Sequence, residues 1–263
     1  MGDISPGDRV GALRRERAEL IRFCRELDDA QWRTPSMAAG WRVQDVVAHM
    51  GAGCHSIFTP ASLKILRSNE IERANDALVD VRRSWLPTQT LAEYERWSRI
   101  LTTAAQAISP TPLANLRMPL AELGKFPAGL LLAGAMTFDH HTHLRHDIAP
   151  ALGLPAPDTD AARMTVVLEW MFAVLSNQLR AARPGWLEHP IGITLRGPGG
   201  GSWVIDAHGA VPGRHDDAAA AIVGGAAEFP EWGTRRADWR SRDVRISGDV
   251  DYGARFLDLV NIV

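Results

Sequence analysis

Cysteine is almost absent from this 263-residue chain: Cys24 and Cys54 are the only two. Two thiols cannot build a disulfide framework, so a cytoplasmic protein with free thiols is expected. Charge imbalance is equally small. A net charge of −2 leaves no electrostatic footprint for a nucleic-acid partner. Long apolar runs are missing too. No run of about eighteen apolar residues marks a transmembrane helix, and "MGDISPGDRVGALRRERAEL" lacks the apolar stretch of a signal peptide. No membrane partner is expected, and no internal repeat or low-complexity tract is visible. What is there is ordinary: 46% hydrophobic and 23% charged residues, a globular composition. The length allows one large domain or two modest ones.

The periodicity predicts an α+β protein in two parts. Val10, Leu13, Leu20, Ile21, Cys24 and Leu27 recur at helical spacing in the first segment. A second helix follows Gly40, with Val43, Val46, Val47 and Met50 on its apolar side. Three more are expected over 91–108, 128–148 and 160–182, the last stopped by Pro184-Gly185. Long helices with short joins imply an antiparallel bundle over residues 1–184. The pattern then changes. "IGITLRGPGGGSWVIDAHGAV" alternates around a Gly-rich turn, a hairpin signal. "DDAAAAIVGGAAEFPEWGTRRADW" reads as interrupted helix, and "DVRISGDVDYGARFLDLVNIV" as strand, turn and closing helix. Residues 185–263 are therefore expected to form a small α+β domain.

Histidine is concentrated in one place. Four of the nine histidines and two aspartates occupy Asp139 to Asp147, within "TFDHHTHLRHDI". On a helix, Asp139 and His143 are four apart and share a face. His146 lies three further on, near that face, while His140 and His141 point elsewhere and are expected at the surface or an interface. A carboxylate and an imidazole on one helix supply two metal ligands, and a neighbouring bundle helix can supply a third. His49, in "VQDVVAHMG", is the best candidate. Two imidazoles and a carboxylate suit a divalent ion, zinc most naturally. Three protein ligands leave a position open, as catalytic sites do. By spacing alone, His55 and His146 are alternatives to His49 or His143.

The order "QW…PS…GWRVQDVVAHM", then "FDHHTHLRHDIAPALG", then "GGSWVID…DVRISGD…ARFLDLVNIV" resembles the mycothiol-dependent maleylpyruvate isomerase family of actinobacteria, within the DinB-like or YfiT-like metalloprotein superfamily. The resemblance runs through nearly the whole chain. It implies a DinB-like four-helix bundle followed by a sterol-carrier-like domain. It also implies zinc held by His49, Asp139 and His143. Trp32, Pro35, Ser36, Gly40 and Trp41 match the family's lead-in, where packing is expected. The family has Glu where Asp139 stands, and the shorter carboxylate needs a closer approach.

The resemblance further implies mycothiol as a small-molecule thiol bound to the metal, with an electrophilic small molecule as second substrate. A metal-held thiolate can add to an activated alkene and leave again, which is cis–trans isomerisation, or attack an electrophile and stay, which is S-transfer. Thiol transfer or conjugation is expected ahead of maleylpyruvate isomerisation itself. A hydrolase that uses no thiol and a non-catalytic binding protein are the alternatives. His146 is expected to tune the site as a proton-moving group. Asp147 is expected to end the helix or orient a neighbour. Arg240, in the basic segment "TRRADWRSRDVR", is a candidate carboxylate clamp. Trp41 and Trp85 are candidate pocket walls, and both cysteines are expected in the core. The protein is expected to be a monomer or homodimer.

Overall fold

The computed structural model describes residues 4–59 and 71–262. They form an α+β protein that divides into two compact units, Pro6–Asp158 and Thr159–Val263. Among the described residues, no helix is long and apolar enough to cross a membrane.

The first unit is a helical bundle. Its helices are α1 (Pro6–Arg25), the short α2 (Asp29–Arg33), α3 (Val43–Ser56), α4 (Ile71–Asp80) and α5 (Pro87–Ile108). The last bundle helix has an α-helical centre, α6 (Met136–Thr142), between π-helical turns Leu130–Ala135 and His143–Ile148. Starts are written in the sequence. Asp28 accepts from the Ala30 and Gln31 amides at 2.8 Å, and Gln31 returns a bond to the Asp28 amide, a reciprocal cap on α2. Pro87 opens α5 where its missing N–H costs nothing. The sequence reading did not include α4 or the hairpin of β1 (Arg117–Pro119) with β2 (Lys125–Pro127).

The bundle core is built where the apolar stripes meet. Leu20, Cys24, Trp32, Val43, Val46, Val47, Met50, Tyr94, Leu144 and Ile148 form one cluster. Val10, Leu13, Cys54, Leu101, Leu132 and Ala133 belong to a second. Each large aliphatic side chain contributes roughly 1.5–3 kcal/mol by its burial. Leu144 and Ile148 therefore hold the histidine-bearing helix against α3 strongly. Gly51 lets α3 approach α5 closely, since a Cβ there would stand 3.3 Å from the Tyr94 backbone.

In the second unit, α7 (Ala161–Ala182) precedes a five-stranded sheet. The strands are β3 (Ile191–Arg196), β4 (Gly201–Asp206), β5 (Gly209–Pro212), β6 (Ala220–Gly225) and β7 (Arg245–Gly248). Their order is β5-β4-β3-β6-β7, with β3 and β6 parallel and the other neighbours antiparallel. Two further helices, α8 (Phe229–Gly233) and α9 (Val250–Leu259), complete the unit. The Gly-rich stretch is the expected β3–β4 turn. Gly199 is needed there twice over: its φ is +71°, and a Cβ would come within 2.6 Å of the Thr165 amide nitrogen.

Contacts group α7 with the sheet, in the unit from Thr159 onward, whereas the sequence places the boundary after residue 184. Phe172 stacks on Trp203 with ring centroids 4.1 Å apart, and the Ser176 hydroxyl accepts from the Ala210 amide at 2.9 Å. Ala220–Gly225 is a strand, not interrupted helix. It pairs with β3 on one side and β7 on the other, burying Ala220, Ile222 and Gly224 on one face. Sheet context overrides the helix preference of its alanines.

Candidate metal centre

The bundle brings His49, Asp139 and His143 together, with one ligand atom from each within 4.8 Å of the others. His49 lies in the middle of α3, where α3 is buried on nearly every side. Asp139 and His143 lie one turn apart on the last bundle helix. The carboxylate sits between the imidazoles: Asp139 Oδ1 is 3.2 Å from His49 Nε2 and 3.4 Å from His143 Nε2. The two rings stand edge to face, centroids 5.2 Å apart. For an ion with ligand bonds of ~2.0–2.1 Å, the edges of a tetrahedron measure ~3.3–3.4 Å. The two carboxylate–imidazole separations are close to such edges, and the three ligand atoms lie within 4.8 Å of one another, so the residue types and spacing suit a zinc-sized ion.

The same helix supplies a supporting group. Asp147, fully buried one turn beyond His143, has Oδ2 2.6 Å from His143 Nδ1. This bond places the Nδ1 proton and leaves Nε2 facing His49 and Asp139, as carboxylate–histidine–metal triads do. Asp139, His143 and Asp147 thus form one stripe at i, i+4, i+8. Met37 N donates to the Asp147 carbonyl at 3.0 Å, tying the loop before α3 to this helix.

Electrostatics follow from the packing. Burial alone would raise the Asp139 carboxyl. The facing His49 and His143 outweigh it and hold the group well below the usual carboxylate range. Burial would lower the His143 imidazole, but Asp139 and Asp147 carry it up to about 9. The metal-free site is therefore a tight charge cluster in which His143 keeps its proton at neutral pH. His140 behaves oppositely: burial takes it down to about 4, with Asp139 opposing the fall.

The other sequence candidates lie elsewhere. His146 faces His141, ring centroids 6.5 Å apart, on a different stripe from Asp139 and His143. His140 and His141 are buried, not at the surface as expected, because the helix lies inside the bundle. His55 is engaged with Glu93 at 3.1 Å and stacks on Trp97 at 4.1 Å, so it is not part of the donor set. Glu93 is in turn clamped by Arg82 at 2.6 and 2.7 Å. Arg240 commits both guanidinium arms to Asp258, at 2.6 and 2.9 Å. Cys24 and Cys54 are core residues whose burial pushes both thiols far up. Trp85 lines a cleft of about 410 Å³ with Glu93, Arg96 and Trp97. Trp41 packs on the donor imidazoles themselves. The order "GW" before an apolar helix was its only signal.

Comparisons with known proteins give the family. The model of the mycothiol maleylpyruvate isomerase N-terminal domain matches residues 13–149. That span is more than half of the chain and contains His49, Asp139 and His143. No curated protein matches. Two crystal structures share the fold. One is of the mycothiol-dependent maleylpyruvate isomerase, at 17% identity and a TM-score of 0.58. The other is of a histidine-to-alanine mutant of that name, at 16% identity and 0.57. Each alignment covers 94% of this chain and 95% of the other. With its bundle matched across the donor-bearing helices, the chain belongs to the mycothiol maleylpyruvate isomerase family.

Proposed function

We propose that this protein is a metal-dependent enzyme that uses mycothiol for thiol-assisted cis–trans isomerisation of a small unsaturated acid such as maleylpyruvate. The observation that supports the reading is that ligand atoms of His49, Asp139 and His143 lie within 4.8 Å of one another. These three would hold the ion, zinc by donor type. When bound, the ion would keep the thiol as thiolate, whose reversible addition to the alkene frees rotation about that bond.

The protein's own residues set the conditions. His49 and Asp139 come from different helices, so bundle packing fixes the width of the site. Asp147 holds His143 in the tautomer that presents Nε2. Asp139 stays ionised through its two imidazole neighbours. Trp41 lies beside both imidazoles, nearer to His49, and gives the site an apolar neighbour there. S-transfer from the same site differs in stoichiometry: isomerisation returns the thiol, and transfer consumes it.

Metal analysis followed by calorimetry with mycothiol tests the proposal. One ion per chain is expected, lost in His49→Ala. Thiol binding should release roughly one proton, because a free thiol with a pKa of ~8.5 is mostly protonated at neutral pH. Equal mycothiol affinity with and without metal overturns the thiol reading and leaves a hydrolase or binding protein. Consumption of mycothiol in step with product overturns isomerisation in favour of transfer.

A further inference from the structure

Trp41 is not a candidate donor, yet its indole neighbours both candidate imidazoles. The ring centroid lies 5.1 Å from that of His49 and 6.5 Å from that of His143. Two independent restraints hold it. The loop that carries it is closed by a bridge between Pro35 and Arg42, and the Ser36 amide and hydroxyl both donate to the Trp41 carbonyl at 2.8 Å. The side chain is then pinned from α4, where Asp76 Oδ1 accepts from Trp41 Nε1 at 2.9 Å. The ring remains partly exposed, so this clamp holds a wall at the edge of the site.

The clamp has a chemical consequence. The indole's one strong donor is spent on Asp76, and its face offers no strong acceptor. Water, hydroxide or a carboxylate oxygen seated against that face loses hydrogen bonds on one side. A sulfur loses little, being weakly hydrated, and gains from contact with the polarisable ring. We propose that Trp41, positioned by Asp76, is the specificity-determining residue that makes the metal site select a sulfur nucleophile over water or an oxygen anion. This rests on the metal–thiol reading above.

The test uses the full-length protein loaded with cobalt, whose visible absorbance reports what joins the ion. The wild type and variants are titrated separately with 2-mercaptoethanol and with acetate. Trp41→Ala should weaken thiol binding about tenfold, the upper range of a sulfur–aromatic contact, and leave acetate binding nearly unchanged. Trp41→Phe should restore most of the thiol affinity. Asp76→Ala, which frees the indole, should reproduce part of the loss. Asp76→Asn, which keeps an acceptor, should not. Cobalt affinity, read by chelator competition, should be the same throughout.

Equal losses for thiol and acetate overturn the inference, as does a Trp41→Ala protein that binds thiol like the wild type. A parallel fall in cobalt affinity also overturns it, by showing that Trp41 merely braces the donors. A wild type that binds cobalt but no thiol refutes the thiol reading itself, and this inference with it. Trp41→Phe and Asp76→Ala are mild enough to report even if Trp41→Ala fails to fold.

Discussion

Replacing Asp147 by Asn keeps the shape of the side chain and removes its charge, and two opposing effects follow. The carboxylate lies 2.6 Å from His143 Nδ1 and is fully buried, so its charge is felt strongly by the ring. Losing it makes Nε2 a weaker donor, and loss of such a supporting group typically costs ~10–100-fold in metal affinity. Losing it also lowers the His143 pKa of the metal-free protein, because Asp147 is one of the groups that raise it. In the wild type that pKa is about 9. At pH 7 an incoming ion must therefore displace a proton bound about two units too tightly, which costs about 2.7 kcal/mol, or about 100-fold in apparent affinity. The variant pays less of this penalty. Above pH 9 the proton is gone from both proteins and only donor strength differs. The wild-type advantage should thus be full, at ~10–100-fold, above pH 9, and shrink steadily toward pH 6.5. Zinc competition against a chelator of known proton affinity, run from pH 6.5 to 9.5, measures the ratio. A ratio that stays constant with pH, or no loss above pH 9, refutes the claim that Asp147 acts through His143.

Stripped of metal, the protein should show the same charges in its stability. His143 has a folded pKa of about 9 against an ordinary 6.5, so its contribution is complete below pH 6.5 and fades as the pH rises through 9. Asp139 is depressed, so its contribution is present above about pH 4 and fades in acid; thermal melts of chelated protein across pH 3 to 10 should show both losses. Arg145→Ala should cost the first unit ~3–5 kcal/mol in urea unfolding. It removes the guanidinium held 2.7 Å from the fully buried Glu16, and adding Glu16→Gln should recover part of the loss. His146→Ala should leave metal affinity unchanged in chelator competition, since that ring faces His141. Neither cysteine should react with Ellman's reagent in the native protein, and both should react in denaturant, because both are buried with raised pKa values.

The candidate donor set was legible only in part from helical rules, which left His55 and His146 open, and the resemblance supplied the choice of His49, Asp139 and His143. Asp139 and His143 share a face by four-residue spacing, and His49 follows an apolar stripe that has to pack inward. What the period of 3.6 cannot express is a π-helical turn. Nothing in "HLRHDI" shows that the His146 ring will lie toward His141. Ala220–Gly225 failed for its own reason. "AAIVGG" has weak local preference, and its strand state is decided by β3 and β7 on either side. The boundary near Pro184 was drawn from the change of pattern after α7, a helix that is apolar on several sides. Such a helix announces that it is buried but not which unit buries it.

All the donors, their supporting Asp147 and the Trp41 wall fall within Pro6–Asp158, one of the two compact units. On the ribosome this order matters. Residues 159–190 separate Asp158 from Ile191, where β3 begins. At ~5–20 residues per second, that leaves the nascent bundle ~2–6 s before the first strand of the sheet is made. Metal capture can begin in that interval, on a chain still being synthesised, and an ion held by two helices about ninety residues apart in sequence would lock them in register before the strands arrive to compete for their apolar faces.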